Sequence, residues 1–325
     1  MIPWNKGNSP ACRFVIALLA VAFLGATVLT DDVCAAKARQ KGFSSPEEAA
    51  TALVSAVKKD EVKEIISLFG PGGKALVLSG DRVADRKGRE WFAKAFDEKN
   101  GLVREGENKA VLQVGKDDWP LPVPLVRRGD LWFFDAKSGK DEILNRRIGR
   151  NELSAIQVIL AMVDAEREYA LKDRDSNGLL QYAPKFASDP GKKNGLYWEA
   201  KEGEAPSPLG SLAAKSAAEG YGSRNPESKP QPYHGYFYRI LKAQGERAPG
   251  GAFDYVVNGK MIGGFAIVAW PSKYGNSGVM TFVVNHDGVV YQKDLGPETA
   301  KIARSMKLYN PDETWKKVEA PIAAQ

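Results

Sequence analysis

The sequence predicts a mixed α+β protein of two domains, in which helices packed on a curved antiparallel sheet precede a long helix lying on an antiparallel meander. Three observations carry this expectation. Apolar residues recur every three or four positions up to residue 97 and every second position after it, the change from helix to strand period. A long one-sided apolar stripe begins near Asn151. Beyond residue 236, short apolar runs alternate with turn signals, of which Asp287-Gly288 is the strongest.

At 325 residues, 43% hydrophobic and 26% charged, the chain has the composition of a globular protein. Its length fits two domains, at roughly 100 to 200 residues each. The net charge of +6 and pI of about 9.0 are modest. Lys and Arg alternate with Asp and Glu almost throughout. The short basic clusters at Arg82, Arg86, Lys87 and Arg89, and at Arg146, Arg147 and Arg150, read as solvated surface. No nucleic-acid partner is expected.

Residues 1–36 read as a secretory signal peptide. Lys6 and Arg13 supply the positive region, residues 14–30 the apolar core, and Val33-Cys34-Ala35-Ala36 the small cleavage residues. Membrane contact is expected only if this segment is kept as an anchor. Both cysteines, Cys12 and Cys34, lie inside it, so the mature chain would hold no disulfide, thiol nucleophile or cysteine metal site. An exported location, periplasmic or secreted, follows.

The first domain spans 37–145. Phe43-Ser44-Ser45-Pro46-Glu47-Glu48 is a helix start, with a serine cap, a proline in the first turn and acids beside the helix dipole. Ala49, Ala52, Leu53, Ala56 and Val57 form the buried stripe. A second short helix runs from Asp60 to Phe69, and Gly70-Pro71-Gly72-Gly73 breaks it. A third is expected over 86–97, with Trp91, Phe92, Ala95 and Phe96 inward. Strands follow over 110–115, 121–127 and 131–135, the last two joined at Arg128-Gly129-Asp130. Pro120, Pro122 and Pro124 alternate and mark an edge strand. Helices followed by a curved antiparallel sheet resemble the cone-shaped NTF2-like fold.

The second domain spans 146–325. Its helix has Asn151 as N-cap, Leu153, Ile156, Val158, Ile159, Leu160, Met162, Val163 and Ala170 on the apolar side, and Asp164, Arg167 and Glu168 facing solvent. It stops near Asp173, where turn formers begin. Residues 196–220 are a surface excursion with one short helix at 209–219. Strands are expected over 236–241, 265–270, 279–285 and 289–294, with a small one at 255–257 turning at Asn258-Gly259. A short helix over 297–306 ends the pattern. One long helix on a four-stranded meander, with Glu166-Arg167-Glu168-Tyr169-Ala170, Gly235-Tyr236 and Ala269-Trp270-Pro271, resembles the globular heads of type IV pilin-like proteins. The chain departs from true pilins, because a whole domain separates this helix from the N-terminal apolar segment.

Five segments together resemble a bacterial family of exported proteins catalogued as a domain of unknown function. They are Gly115-Lys116-Asp117-Asp118-Trp119-Pro120, then Glu142-Ile143-Leu144-Asn145-Arg146-Arg147-Ile148-Gly149-Arg150-Asn151-Glu152, then Tyr233-His234-Gly235-Tyr236. Thr281-Phe282-Val283-Val284-Asn285 and Asp294-Leu295-Gly296 complete the set. The resemblance implies export and this domain layout, and no activity.

No nucleophile elbow, zinc-protease helix or dinucleotide glycine fingerprint occurs. Gly70-Pro71-Gly72-Gly73-Lys74 lacks the Ser or Thr of a phosphate loop, since Ala75 follows. His286 reads as a turn residue in solvent, and His234 as a ring packed among Tyr233, Tyr236 and Phe237. Asp173, Asp175 and Asn177 place oxygens at alternate positions, as a calcium loop begins. Pro184 stands where that loop needs its last carboxylate, so a helix-terminating turn is the preferred reading and calcium the alternative. Trp91, Phe96, Trp119, Trp132 and Phe134 are the candidate lining of an apolar ligand pocket, with core packing as the plainer account. The expected function is a non-catalytic envelope protein that binds a partner protein or a small ligand. The alternatives are a hydrolase or isomerase in the cone pocket, and a membrane-anchored pseudopilin-like subunit.

Overall fold

The structure is a computed structural model that describes residues 40–221 and 230–319. The segment expected to be a signal peptide, and both cysteines with it, lie outside the described residues. Helix α1 (Pro46–Lys58) starts at the expected cap. Ser45 Oγ accepts from the Glu48 N–H at 3.1 Å, while the Glu48 carboxylate reaches back to the Ser44 N–H at 2.9 Å. Helix α2 (Val62–Phe69) ends at Gly70, which takes a positive φ of 68°. A one-turn helix the sequence did not announce, α3 (Gly73–Val77), follows the glycine break. Helix α4 (Arg82–Glu98) begins four residues before the expected start, because Asp81 Oδ1 caps it by accepting from the Val83 and Ala84 N–H groups.

The first sheet is antiparallel and consists of β1 (Asn100–Arg104), β2 (Lys109–Val114), β3 (Trp119–Pro120), β4 (Leu125–Arg128) and β5 (Leu131–Phe134). Its order is β1-β2-β4-β5, with β3 beside the far end of β2. The strand expected over 121–127 is interrupted. β3 pairs with Gln113 and Val114, β4 with Lys109 and Ala110, and the stretch with Pro122 and Pro124 leaves the ladder, since proline has no N–H to donate. Phe43, Leu53, Leu68, Phe69, Leu125, Trp132 and Phe134 fill the space between α1, α2 and this sheet, Phe69 meeting Phe134 edge-on at 5.4 Å.

Helix α5 (Ala136–Ala170) is 35 residues long and starts fifteen residues before Asn151, so the expected boundary at 145/146 falls inside it. Asn151 is therefore interior to the helix and caps nothing. What holds the early half is tertiary. A Cβ on Gly139 would sit 2.3 Å from the Pro122 carbonyl oxygen, a backbone approach that only glycine permits. The apolar stripe is as expected for Ile156, Val158, Ile159, Met162 and Val163, all buried, whereas Leu153 is 53% exposed. Asp164, Arg167 and Glu168 face solvent.

After α5 come an irregular stretch, α6 (Gly210–Ala218), β6 (Tyr236–Leu241), β7 (Ala243–Gln244), β8 (Phe253–Asp254), β9 (Val256–Val257) and β10 (Lys260–Met261). Then come β11 (Ala266–Pro271), β12 (Met280–Asn285), β13 (Tyr291–Asp294), α7 (Thr299–Ser305) and β14 (Lys316–Lys317). The second sheet runs β14-β13-β12-β11-β6, all antiparallel, which is the expected meander with one short strand added. β9 and β10 form a ribbon whose turn, Asn258-Gly259, has φ of 50° and 77°. The β12–β13 turn is centred one residue early, on His286 and Asp287, and the Gly288 N–H closes it on the Asn285 carbonyl at 2.9 Å. β11 is buried along its whole length, and with Phe282 and Val284 of β12 it takes the apolar face of α5. Each of those Ile, Val and Phe side chains contributes about 1.5–3 kcal/mol by leaving water. No helix among the described residues is long and apolar enough to cross a membrane.

Candidate functional site

Two of the segments quoted above for their family resemblance, 142–152 and 233–236, meet where α3 and α4 approach α5 and the connection between β11 and β12. Arg147, about a third of the way along α5, donates from Nη1 to the Ala75 carbonyl at 2.9 Å and to Asn276 Oδ1 at 2.6 Å, and from Nη2 to the Leu76 carbonyl. It thus satisfies carbonyls at the C-terminal end of α3 that no helical partner reaches. One turn on, Asn151 Nδ2 donates to the Ser277 carbonyl at 2.9 Å, and Glu152 Oε1 accepts from the Val279 and Met280 N–H groups at 2.8 and 2.9 Å. Asp81 is 1% exposed and fully partnered. Its Oδ2 accepts from the Tyr221 hydroxyl at 2.8 Å and the Gly235 N–H at 2.9 Å, while Oδ1 caps α4. Gly235 has φ of 76°, and a Cβ there would lie 2.5 Å from Asn151 Nδ2. These residues spend their polar groups on the chain's own backbone and side chains and lock its parts together.

His234 stands at the rim of this seam, at φ 49°. Its Nε2 lies 3.2 Å from Glu219 Oε2, and its ring packs on Tyr233, an expected neighbour, at 4.2 Å and on Tyr221, which the sequence did not announce, at 5.8 Å. Burial pushes the imidazole's proton affinity below its ordinary value, against the pull of Glu219 and Asp81. His286 departs from expectation. It is in the turn, but its ring packs against Tyr255, Phe253 and Phe265, and Nδ1 is buried.

The five candidate pocket aromatics do not share a pocket. Trp132 and Phe134 are core side chains of the first sheet, and Phe96 lies half-buried beside Phe92. Trp91 and Trp119 are instead on the surface, 53% and 45% exposed, perpendicular to each other with ring centres 6.3 Å apart. The guanidinium of Arg146 lies over Trp119 at 4.7 Å and is itself paired with Glu142. Trp91 misses the core by one helical step. Phe92 and Phe96, about one turn apart, mark the inward face of α4, and residue 91 is rotated about 100° from residue 92 and about 140° from residue 96. The result is an open aromatic corner made by α4, β3 and the first half of α5.

The Asp173–Asn177 loop uses its oxygens internally. Asp173 Oδ1 accepts from the Asp175 N–H and Oδ2 from the Gly178 N–H at 2.7 Å, which holds this carboxyl below its usual range. Asn177 Oδ1 accepts from the Leu179 N–H at 2.9 Å, and Asp175 Oδ2 takes both Gln181 and Lys260. The donor set is that of a helix-terminating turn with a lysine already on its free carboxylate. Among the described residues, no cluster of three or more His, Cys, Asp or Glu is arranged to hold a metal ion.

One ionisable group escaped the sequence reading. Glu166 of α5 is 0% exposed, with Oε2 accepting from the Ala183 N–H at 2.8 Å and Oε1 without a partner. Burial pushes its carboxyl up to about 8, against the smaller pull of that hydrogen bond. The spacing Ile159, Met162, Val163, Glu166, Tyr169 was a readable signal, because it puts the acid squarely in the apolar stripe.

Residues 40–318 match the family described as Protein of unknown function (DUF2950), and the chain belongs to it. Neither the curated proteins nor the solved structures give a match.

Proposed function

We propose that this DUF2950 member is an exported, non-catalytic binding protein of the cell envelope, and that the Trp91–Trp119 corner is its contact surface. One observation supports the reading most directly: two indoles stand about half exposed at right angles, with the Arg146 guanidinium stacked beside them. Exposed tryptophan carries a large transfer penalty that a partner relieves, and Trp and Arg are the side chains that dominate contact energies. The reading keeps a cone-like first half and a pilin-head-like second half, each with its own apolar cluster, as the scaffold.

The test is retention of the purified protein on a sedimented envelope fraction of the producing bacterium, before and after protease treatment of that fraction. Trp91→Ala combined with Trp119→Ala should lower affinity about thirtyfold, from about 1 kcal/mol for each exposed aromatic contact. Loss of retention after protease identifies a protein partner, and its survival a small ligand or polymer. Retention that the double variant leaves unchanged overturns the proposal.

A further inference from the structure

The two edges of the first sheet are treated differently. At β5 the edge is closed, since Phe43 and Trp132 exchange backbone hydrogen bonds at 2.9 and 2.7 Å. At β1 it is open among the described residues. The β1–β2 register pairs Leu102 with Leu112, and the bonds Glu105 N–H to Lys109 O and Lys99 O to Gly115 N–H set its phase. Residues 99, 101, 103 and 105 therefore turn their backbone groups toward β2. Asn100, Leu102 and Arg104 turn theirs outward. Along β1 only Leu102 is even half-buried, packing toward α1 and α4, and the opposite face of the strand is exposed.

We propose that β1 is a dimerisation edge, which pairs antiparallel with β1 of a second copy about a two-fold axis at Leu102. The occupant is argued from the strand itself. With Leu102 opposite Leu102 of the other copy, the outward N–H and C=O groups of residues 100, 102 and 104 meet in about six hydrogen bonds. In the same register Lys99 falls opposite Glu105 of the second copy, Asn100 opposite Arg104, and Gly101 opposite Val103, each twice by symmetry. No like charges face each other. An edge blunted against association puts charge of one kind along it, whereas here a cation at one end and an anion at the other attract a reversed copy. The present partners of these two ends, Asp118 for Lys99 and Lys109 for Glu105, are half-exposed surface pairs that exchange at little cost. The exposed Val103, 45% open, would lie diagonal to Val103 of the second copy, so that the two partly cover each other.

The test is sedimentation equilibrium of the full chain from micromolar to submillimolar concentration. The native chain should show a monomer–dimer equilibrium. Arg104→Pro removes an outward N–H and no bond to β2, and should leave a monomer. Lys99→Glu sets two like-charge contacts across the axis and should raise the dimer Kd about tenfold. Adding Glu105→Lys to it restores opposite charges and should recover the dimer, which a general loss of folding would not do; thermal midpoints of the charge variants serve as the folding check. A native chain that stays monomeric throughout, or a dimer indifferent to all three changes, overturns the proposal.

Discussion

Glu166 makes stability depend on pH in a direction opposite to most carboxylates. Its carboxyl has an ordinary value of 4.5 when the chain is unfolded and about 8 when folded, because burial disfavours the charge. The folded state therefore binds the proton more tightly, and the stabilisation is complete below pH 4.5. It declines by about 1.4 kcal/mol per pH unit as pH rises toward 8, and levels off above. At pH 7 the difference from the ordinary value is 2.5 units, so Glu166 costs about 3 kcal/mol relative to acidic conditions. That is a large share of the 5–15 kcal/mol typical of a folded protein. Glu166→Gln keeps an oxygen for the Ala183 N–H and removes the titration. Urea unfolding of both proteins at pH 5, 7 and 8.5 reads the effect. The variant should gain on the parent by about 2.5 kcal/mol between pH 5 and 7, and by about 1 kcal/mol more by pH 8.5. Parallel pH profiles for the two proteins would refute the reasoning.

Four other outcomes follow from the seam and the turn. His234, held below its ordinary 6.5 mainly by burial, contributes stability that is complete above pH 6.5 and is lost as pH falls through its lowered folded value, so His234→Gln should flatten that acid limb in thermal melts. Asp81→Asn turns an amide toward the Tyr221 hydroxyl and Gly235 N–H or toward the start of α4, and should cost about 2–4 kcal/mol in urea unfolding. Gly235→Ala puts a Cβ against Asn151 Nδ2 at a positive φ, and should lower the melting temperature by at least several degrees, about 2 kcal/mol. Calcium added after chelator treatment should leave the melting temperature unchanged, and a rise would reinstate Asp173, Asp175 and Asn177 as ligands.

Much of the local structure was legible. Ser45 with Pro46 and Glu48 marked a helix start, the run Tyr236–Leu241 is a strand at its expected bounds, and Asn258-Gly259 made the expected ribbon turn. The first fifteen residues of α5 were not legible, because Gly139, Gly149 and a charged composition weaken the helical pattern there. Strand β1 was missed because Asn100-Gly101-Leu102-Val103-Arg104 has only two apolar residues, side by side, and its pairing with β2 supplies the order its own propensity lacks. Half of the aromatic site failed for a geometric reason. A tryptophan on a helix and one on a strand were both counted as inward on composition, but direction depends on helix phase and on the strand's neighbours.

The sequence by itself determined the mixed α+β class, the spacing of buried positions within each element and most of the turns, since those depend on residues within one or two turns of each other. Only the tertiary structure decided which polar groups are buried and which aromatics are left in water. Glu166 becomes a neutral acid because the fold buries it, against the pull of an N–H seventeen residues away, and Asp81 is satisfied by an N–H 154 residues away. Burial and hydrogen bonding are set by partners that the local pattern does not name, and so is the charge those groups carry.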